Sequence, residues 1–179
     1  MATVEKFTRA MLENFVKERE WRYLIDKDGD YLVEFAYDED YGCELTLYLI
    51  ASGQQNEILE IRVSSTMRIP KDRWGEAINA CNTWNDMKRW PKVYLHVSNP
   101  DTDVVGRIVC EGHIDLEQGI HQELLNDFIS SYHRTANAFW MWLHTEYGYT
   151  MAFAIQKPAP EPEPTPETDV TPAPDAPTG

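Results

Sequence analysis

Residues 43–64 read CELTLYLIASGQQNEILEIRVS, and their spacing decides the fold. Cys43, Leu45, Leu47 and Leu49 fall on every second position, and so do Leu59, Ile61 and Val63. Side chains of a strand alternate between its two faces, so each set lines one face of a strand. Glu60, Arg62 and Ser64 take the opposite face of the second run, and Ser52-Gly53-Gln54-Gln55-Asn56 supplies the turn between the runs. The pattern predicts an antiparallel hairpin with one apolar and one wetter face.

Working outward, Trp21, Tyr23 and Ile25 alternate with polar residues, Asp28-Gly29 makes a turn, and Tyr31, Val33, Phe35 and Tyr37 alternate again, which predicts a second hairpin. Ahead of it, Val4, Phe7, Met11 and Phe15 recur at helical spacing behind Thr3, a candidate N-cap, so residues 3 to about 19 are expected to be helical. Past the central hairpin, Pro70 suits a first helical position, Trp74, Ala77, Ile78, Cys81 and Trp84 mark one side of a second helix, and Pro91 ends it. Val93, Leu95 and Val97 form a further strand alternating with Tyr94 and His96, and Val104 to Ile114 form its partner after a turn at Asn99-Pro100-Asp101. A third helix is expected from about Ile120 to Tyr147, and Met151 to Ile155 suggest a short terminal strand. The fold class is therefore α+β, an antiparallel sheet with helices on one face, in the order α-β-β-β-β-α-β-β-α.

The chain has 179 residues, enough for one ordinary domain with an appendage. We assign residues 1–157 to the folded domain and 158–179 to an acidic proline-rich tail, which carries eight of the eleven prolines and cannot pack a core. Net charge is −14, and discounting the five acids of the tail leaves −9 on residues 1–157. Such a field repels phosphate backbones and anionic lipid headgroups, which argues against nucleic-acid and membrane-surface binding. The basic residues Arg68, Lys71 and Arg73, with Lys88, Arg89 and Lys92, have no interleaved aromatics to stack bases. Three widely spaced cysteines, Cys43, Cys81 and Cys110, suit reduced buried thiols; residues 1–6, MATVEK, lack the basic start and apolar stretch expected of a signal peptide, and no run approaches the ~20 apolar residues of a membrane span. A cytoplasmic location is expected.

Chemistry-bearing clusters are few. Asp26-Lys27-Asp28-Gly29-Asp30 looks like the start of a calcium loop, but the closing glutamate such a loop needs is here Tyr37, so a polar turn is the better account. Glu111, His113 and Asp115 share one strand face, yet the outer two stand about 13 Å apart, too far to hold one ion without help. His133 and His144 are separated by roughly 16 Å of helix rise and cannot chelate together. No metal, cofactor or catalytic residue is assigned. Phe139-Trp140-Met141-Trp142-Leu143 points large apolar groups all round a helix, and one core covers only one side. Its leftover surface, flanked by His133, Asn137 and His144, is the expected contact for a protein partner, a client peptide or a second copy in a homodimer, through His133, Asn137, Trp140, Met141, Trp142 and His144, the alternative for Met141 and Trp142 being cover by the chain's own terminal strand. The alternative is a small-molecule sensor or enzyme with a pocket between the second helix and the sheet, lined by Trp74, Trp84 and Tyr94.

Asn82-Thr83-Trp84-Asn85, then Arg89 and Lys92-Val93-Tyr94-Leu95, and later Glu111 to Gln118 leading through Gly119-Ile120 into the last helix, resemble the YbjN family of bacterial proteins assigned to sensory transduction. Local chemistry gives the first of these a structural role, with Trp84 packed on the sheet and the amides bonded to nearby backbone. The resemblance spans about residues 3 to 147 and implies a fold similar to that of the class I type III secretion chaperones, small acidic cytosolic proteins that pair as dimers and hold effector segments. It implies a regulatory or chaperone-like binding role, offers no catalytic residues, and leaves the tail outside.

Overall fold

The structure, a computed structural model, describes residues 3–151. The tail at 158–179 lies outside them, as does the expected terminal strand beyond Met151, whose N–H donates to the Gly42 carbonyl at 2.9 Å.

The central hairpin forms as its alternation requires. Strands β3 (Cys43–Ser52) and β4 (Ile58–Ser65) pair antiparallel with Leu47 opposite Val63 and Leu49 opposite Ile61, all four buried. β2 (Tyr31–Asp38) joins the free side of β3, and β1 (Leu24–Ile25) adds two residues beyond it. On the other side β4 pairs with β7 (Val105–Asp115), which also takes β6 (Lys92–His96) and β5 (Ile69–Pro70). The result is a seven-stranded antiparallel sheet.

Three helices, α1 (Arg9–Glu18), α2 (Trp74–Met87) and α3 (Gln122–Tyr147), roof its apolar face. α3 runs about 39 Å at 1.5 Å per residue and buries Leu125, Ile129, Tyr132, Ala136, Phe139, Trp140 and Leu143 in one continuous core. Tyr132 crosses β7 so closely that a Cβ at Gly112 would sit 2.5 Å from its ring, so that position excludes any side chain. None of the described helices is long and apolar enough to cross a membrane.

Four expectations are corrected. The first helix starts at Arg9, not near Thr3, because Glu5 exchanges both backbone hydrogen bonds with Ile120 (3.0 and 2.9 Å), which holds that segment extended. Gly119, at φ 84°, makes that pairing possible, since a Cβ there would meet the Glu5 carbonyl oxygen at 2.4 Å. Pro70 lies in β5 and a single 3₁₀ turn, Lys71–Arg73, separates it from α2, so a short strand precedes the second helix. Ile78 is exposed on that helix and Ala80 takes its place in the core. Finally, only Leu24 and Ile25 of the segment from Trp21 pair as a strand; Trp21 leaves the alternation to pack edge-on against Phe15 and Phe35.

Candidate functional site on the open sheet face

The α3 stripe is mostly interior. Trp140 is fully buried. His133 stacks on Phe35 (4.9 Å) and meets Trp21 edge-on (5.4 Å). Burial there, aided by the Arg19 guanidinium, pushes its imidazole down to about 4. Asn137 bonds the Tyr41 side chain, and His144 Nδ1 lies 2.8 Å from the Tyr149 carbonyl oxygen, against Gly42. Trp142 is half-buried among Trp84, Phe139 and Tyr147, leaving Met141, 42% exposed, as the one member that presents a large apolar surface. The physical reason is that segments outside the sheet's core face cover the stripe: Trp21 and Phe35 close over His133, Tyr41 over Asn137, the Gly42 and Tyr149 backbone over His144, and Trp84 of α2 over Trp142. Exposed apolar surface gathers elsewhere: Trp90 packs edge-on against Phe128 at 5.1 Å, with Leu124 one turn before Phe128 and Met87 just ahead of Trp90, and Trp90, Leu124 and Met87 are 41–53% exposed.

Trp74, Trp84 and Tyr94 are not brought together. Trp84 packs between α2 and α3 against Phe139, and the Trp74 indole donates to the Ile69 carbonyl at 3.0 Å. Tyr94 alternates with buried Val93 on β6 and therefore points to the opposite face of the sheet, where its hydroxyl donates to Glu111 at 2.8 Å. Burial, with that contact second to it, raises the Tyr94 phenol to about 12. Burial alone would push the Glu111 carboxyl up, but the Tyr94 hydroxyl and the Lys92 ammonium at 3.1 Å outweigh it and hold it below the usual carboxylate range. His113 faces Glu60 at 3.5 Å and Asp115 accepts from the Glu117 N–H, so the Glu111–His113–Asp115 strand is tied into separate pairs. No cluster of three metal-ligating side chains occurs among the described residues. Asp26 Oδ1 accepts from the N–H groups of Asp28 and Asp30, as in a polar turn. All three cysteines are free and buried, and burial raises each thiol.

The strand registers build the open face in rows. Tyr48, Arg62, Glu111 and Lys92 form one row across β3, β4, β7 and β6. Thr46, Ser64, Val109 and Tyr94 form the next, and Arg107 with His96 begins a third. The small side chains of Thr46, Ser64 and Val109 in the middle row leave a trough between two rows of long ones, closed at one end by Tyr94. The trough is a cleft of about 450 Å³ lined also by Ser65, Thr66 and Arg68. Its lining holds Arg62, Arg68, Arg107 and His96 and no carboxylate. The sequence places Arg62 and Ser64 on a wetter strand face, Arg68 in a weak basic group and Tyr94 in a pocket with Trp74 and Trp84; only the register puts four strands' contributions side by side.

One roofed and one open face on an antiparallel sheet, with Arg62, Arg68 and Arg107 gathered around one hollow of the open face, define a small α+β domain. Residues 8–145 match the profile of the YbjN family, described as "Putative bacterial sensory transduction regulator", and the chain belongs to that family. Its fold is similar to the crystal structure of YbjN from E. coli, described as "a putative transcription regulator": TM-score 0.62 and 10% identity, over 81% of this chain and 97% of that one. No curated protein matches the sequence.

Proposed function

We propose that the chain is a non-catalytic regulatory module of the cytoplasm that works by binding protein, in a chaperone-like or signal-transduction role, and that it acts as a homodimer. The observation that carries this reading is the apolar patch of Met87, Trp90, Leu124 and Phe128 between the end of α2 and the first half of α3. Trp, Phe and Met are interface-enriched, and the Trp90–Phe128 ring pair with exposed Leu124 and Met87 in the adjoining turns marks a contact surface on a strongly charged chain. The patch replaces the Met141–Trp142 region as the contact, because Trp142 is half-covered within its own subunit. A pocket between α2 and the sheet gains no support, since Trp84 and Tyr94 point to opposite faces.

Size-exclusion chromatography with light scattering tests the dimer. The full chain is expected to run as a dimer at micromolar concentration, Trp90→Asp and Leu124→Asp to shift it toward monomer, and Met141→Asp to leave it paired. A wild-type monomer would remove the homodimer. A photo-crosslinker at Leu124 that captures no protein in the cell, neither a second copy nor another chain, would remove protein binding through this patch.

A further inference from the structure

We infer that the open-face cleft is a binding site for a small organic anion carrying two phosphate or carboxylate groups. This inference is independent of the apolar patch, which lies among the helices. Arg62 and Arg107 come from rows two pairing steps apart, about 13 Å between backbones, with Ser64, Val109 and Thr46 as the low floor between them. Arginines thus flank the trough on both sides, an arrangement for two anionic groups of one molecule.

The state of each donor supports a ligand. Arg107 is exposed and has no ion-pair partner among the described residues. Arg62 is bound to Glu60 through one terminal nitrogen, while its Nε is buried with no hydrogen-bond partner. Arg68 is anchored at the mouth by Nη1, which donates to the carbonyls of Ser65, Thr66 and Met67. The Thr66 hydroxyl already accepts from the Glu44 N–H, so its proton is left to donate, whereas the Ser65 hydroxyl is turned toward the Cys43 thiol. The other carboxylates near the site are committed: Glu111 to Lys92 and Tyr94, and Asp103, in the adjoining hollow, to the Asn99 N–H.

Size and charge choose the ligand. A volume of about 450 Å³ lies within the range of small-molecule sites, roughly 300–1,000 Å³. The body's net charge of −9 repels an extended anionic polymer, whereas a compact dianion seated in the cleft meets the local cations at short range. Tyr48 and Tyr94 also line the cleft, and with the Val109 floor they give the organic portion apolar surface.

The test titrates the full chain with pyrophosphate and, separately, with citrate at constant ionic strength, following melting temperature and amide NMR shifts. Saturable stabilisation by at least one of them, with shifts centred on Thr46, Ser64 and Val109, is expected, and the tighter arm tells phosphate from carboxylate preference. Arg107→Gln should weaken that binding about tenfold, the loss of one charge-assisted contact. Arg134→Gln, on the exposed side of α3, should leave it unchanged. Failure of both anions to bind up to about 10 mM, an affinity weaker than about −3 kcal/mol, would overturn the inference. So would binding that Arg107→Gln does not weaken, since the anion would then sit elsewhere.

Discussion

His133 shows what one buried polar side chain costs and when. Its ring is packed between Phe35 and Trp21, its Nε2 has no hydrogen-bond partner, and burial with Arg19 nearby pushes it down to about 4. In the unfolded chain an imidazole takes up its proton near pH ~6.5. Between those values the unfolded state binds a proton that the folded state refuses, so stability falls as pH drops from about 6.5 toward 4 and the effect is absent above that window. The loss due to this residue between about pH 7.5 and pH 5 is on the order of 2 kcal/mol. Urea melts at both pH values check this: His133→Phe, which keeps the ring slot filled, should lose that share of the pH dependence. An unchanged slope in the variant would mean the imidazole is not buried neutral. None of this was legible locally, because position 133 falls on the polar shoulder of a helical pattern. Its two aromatic neighbours come from segments about a hundred residues earlier.

At the scale of elements, the edge of the sheet explains a motif that was visible before its purpose was. β6 is an edge strand, and an edge presents unpaired N–H and C=O groups. At Val93 those groups point away from β7 and are taken by the side chain of Asn85: its Oδ1 accepts from the Val93 N–H at 3.0 Å and its Nδ2 donates to the Val93 carbonyl at 2.9 Å. One amide thus stands in for a neighbouring strand, while Trp84 beside it enters the core. Asn85→Ala should cost about 2 kcal/mol, roughly 1 for each hydrogen bond, and Asn85→Asp, which keeps only the acceptor, should fall between. Equilibrium unfolding of the three proteins decides it, and an alanine variant as stable as wild type would contradict the edge role. The strands themselves were legible because period-two alternation needs only neighbours along the chain, as at Leu45 to Leu49 and Leu59 to Val63. The start of α1 was not, because Glu5 is held extended by Ile120, more than a hundred residues away. β5 was missed because two residues carry no period.

For the whole molecule, the cleft escaped the sequence because average charge hides local charge: a body at −9 collects Arg62, Arg68 and Arg107 around one hollow only once β4 and β7 are paired. Those registers also set where the molecule is rigid. β3, β4 and β7 are each paired on both sides, and their inward residues belong to the one core that α3 covers. β1 and β5 hold two paired residues apiece. Opening the middle strands requires breaking ladders on both edges and uncovering Leu47, Ile61 and Cys110, whereas β1 can peel away while exposing residues that already face water. Native-state hydrogen exchange should therefore find the amides of Leu47, Leu49, Ile61, Val63 and Cys110 slowest, opening only with global unfolding, and those of Leu24 and Ile25 faster by orders of magnitude. Slow exchange at Leu24 matching Ile61 would mean that a further strand covers the β1 edge. The prediction bears on function because Thr46, Ser64 and Val109, the floor of the cleft, ride on the slow strands. An anion entering there meets donors already in position, so it should raise the exchange barrier of β3, β4 and β7 together while leaving β1 unchanged.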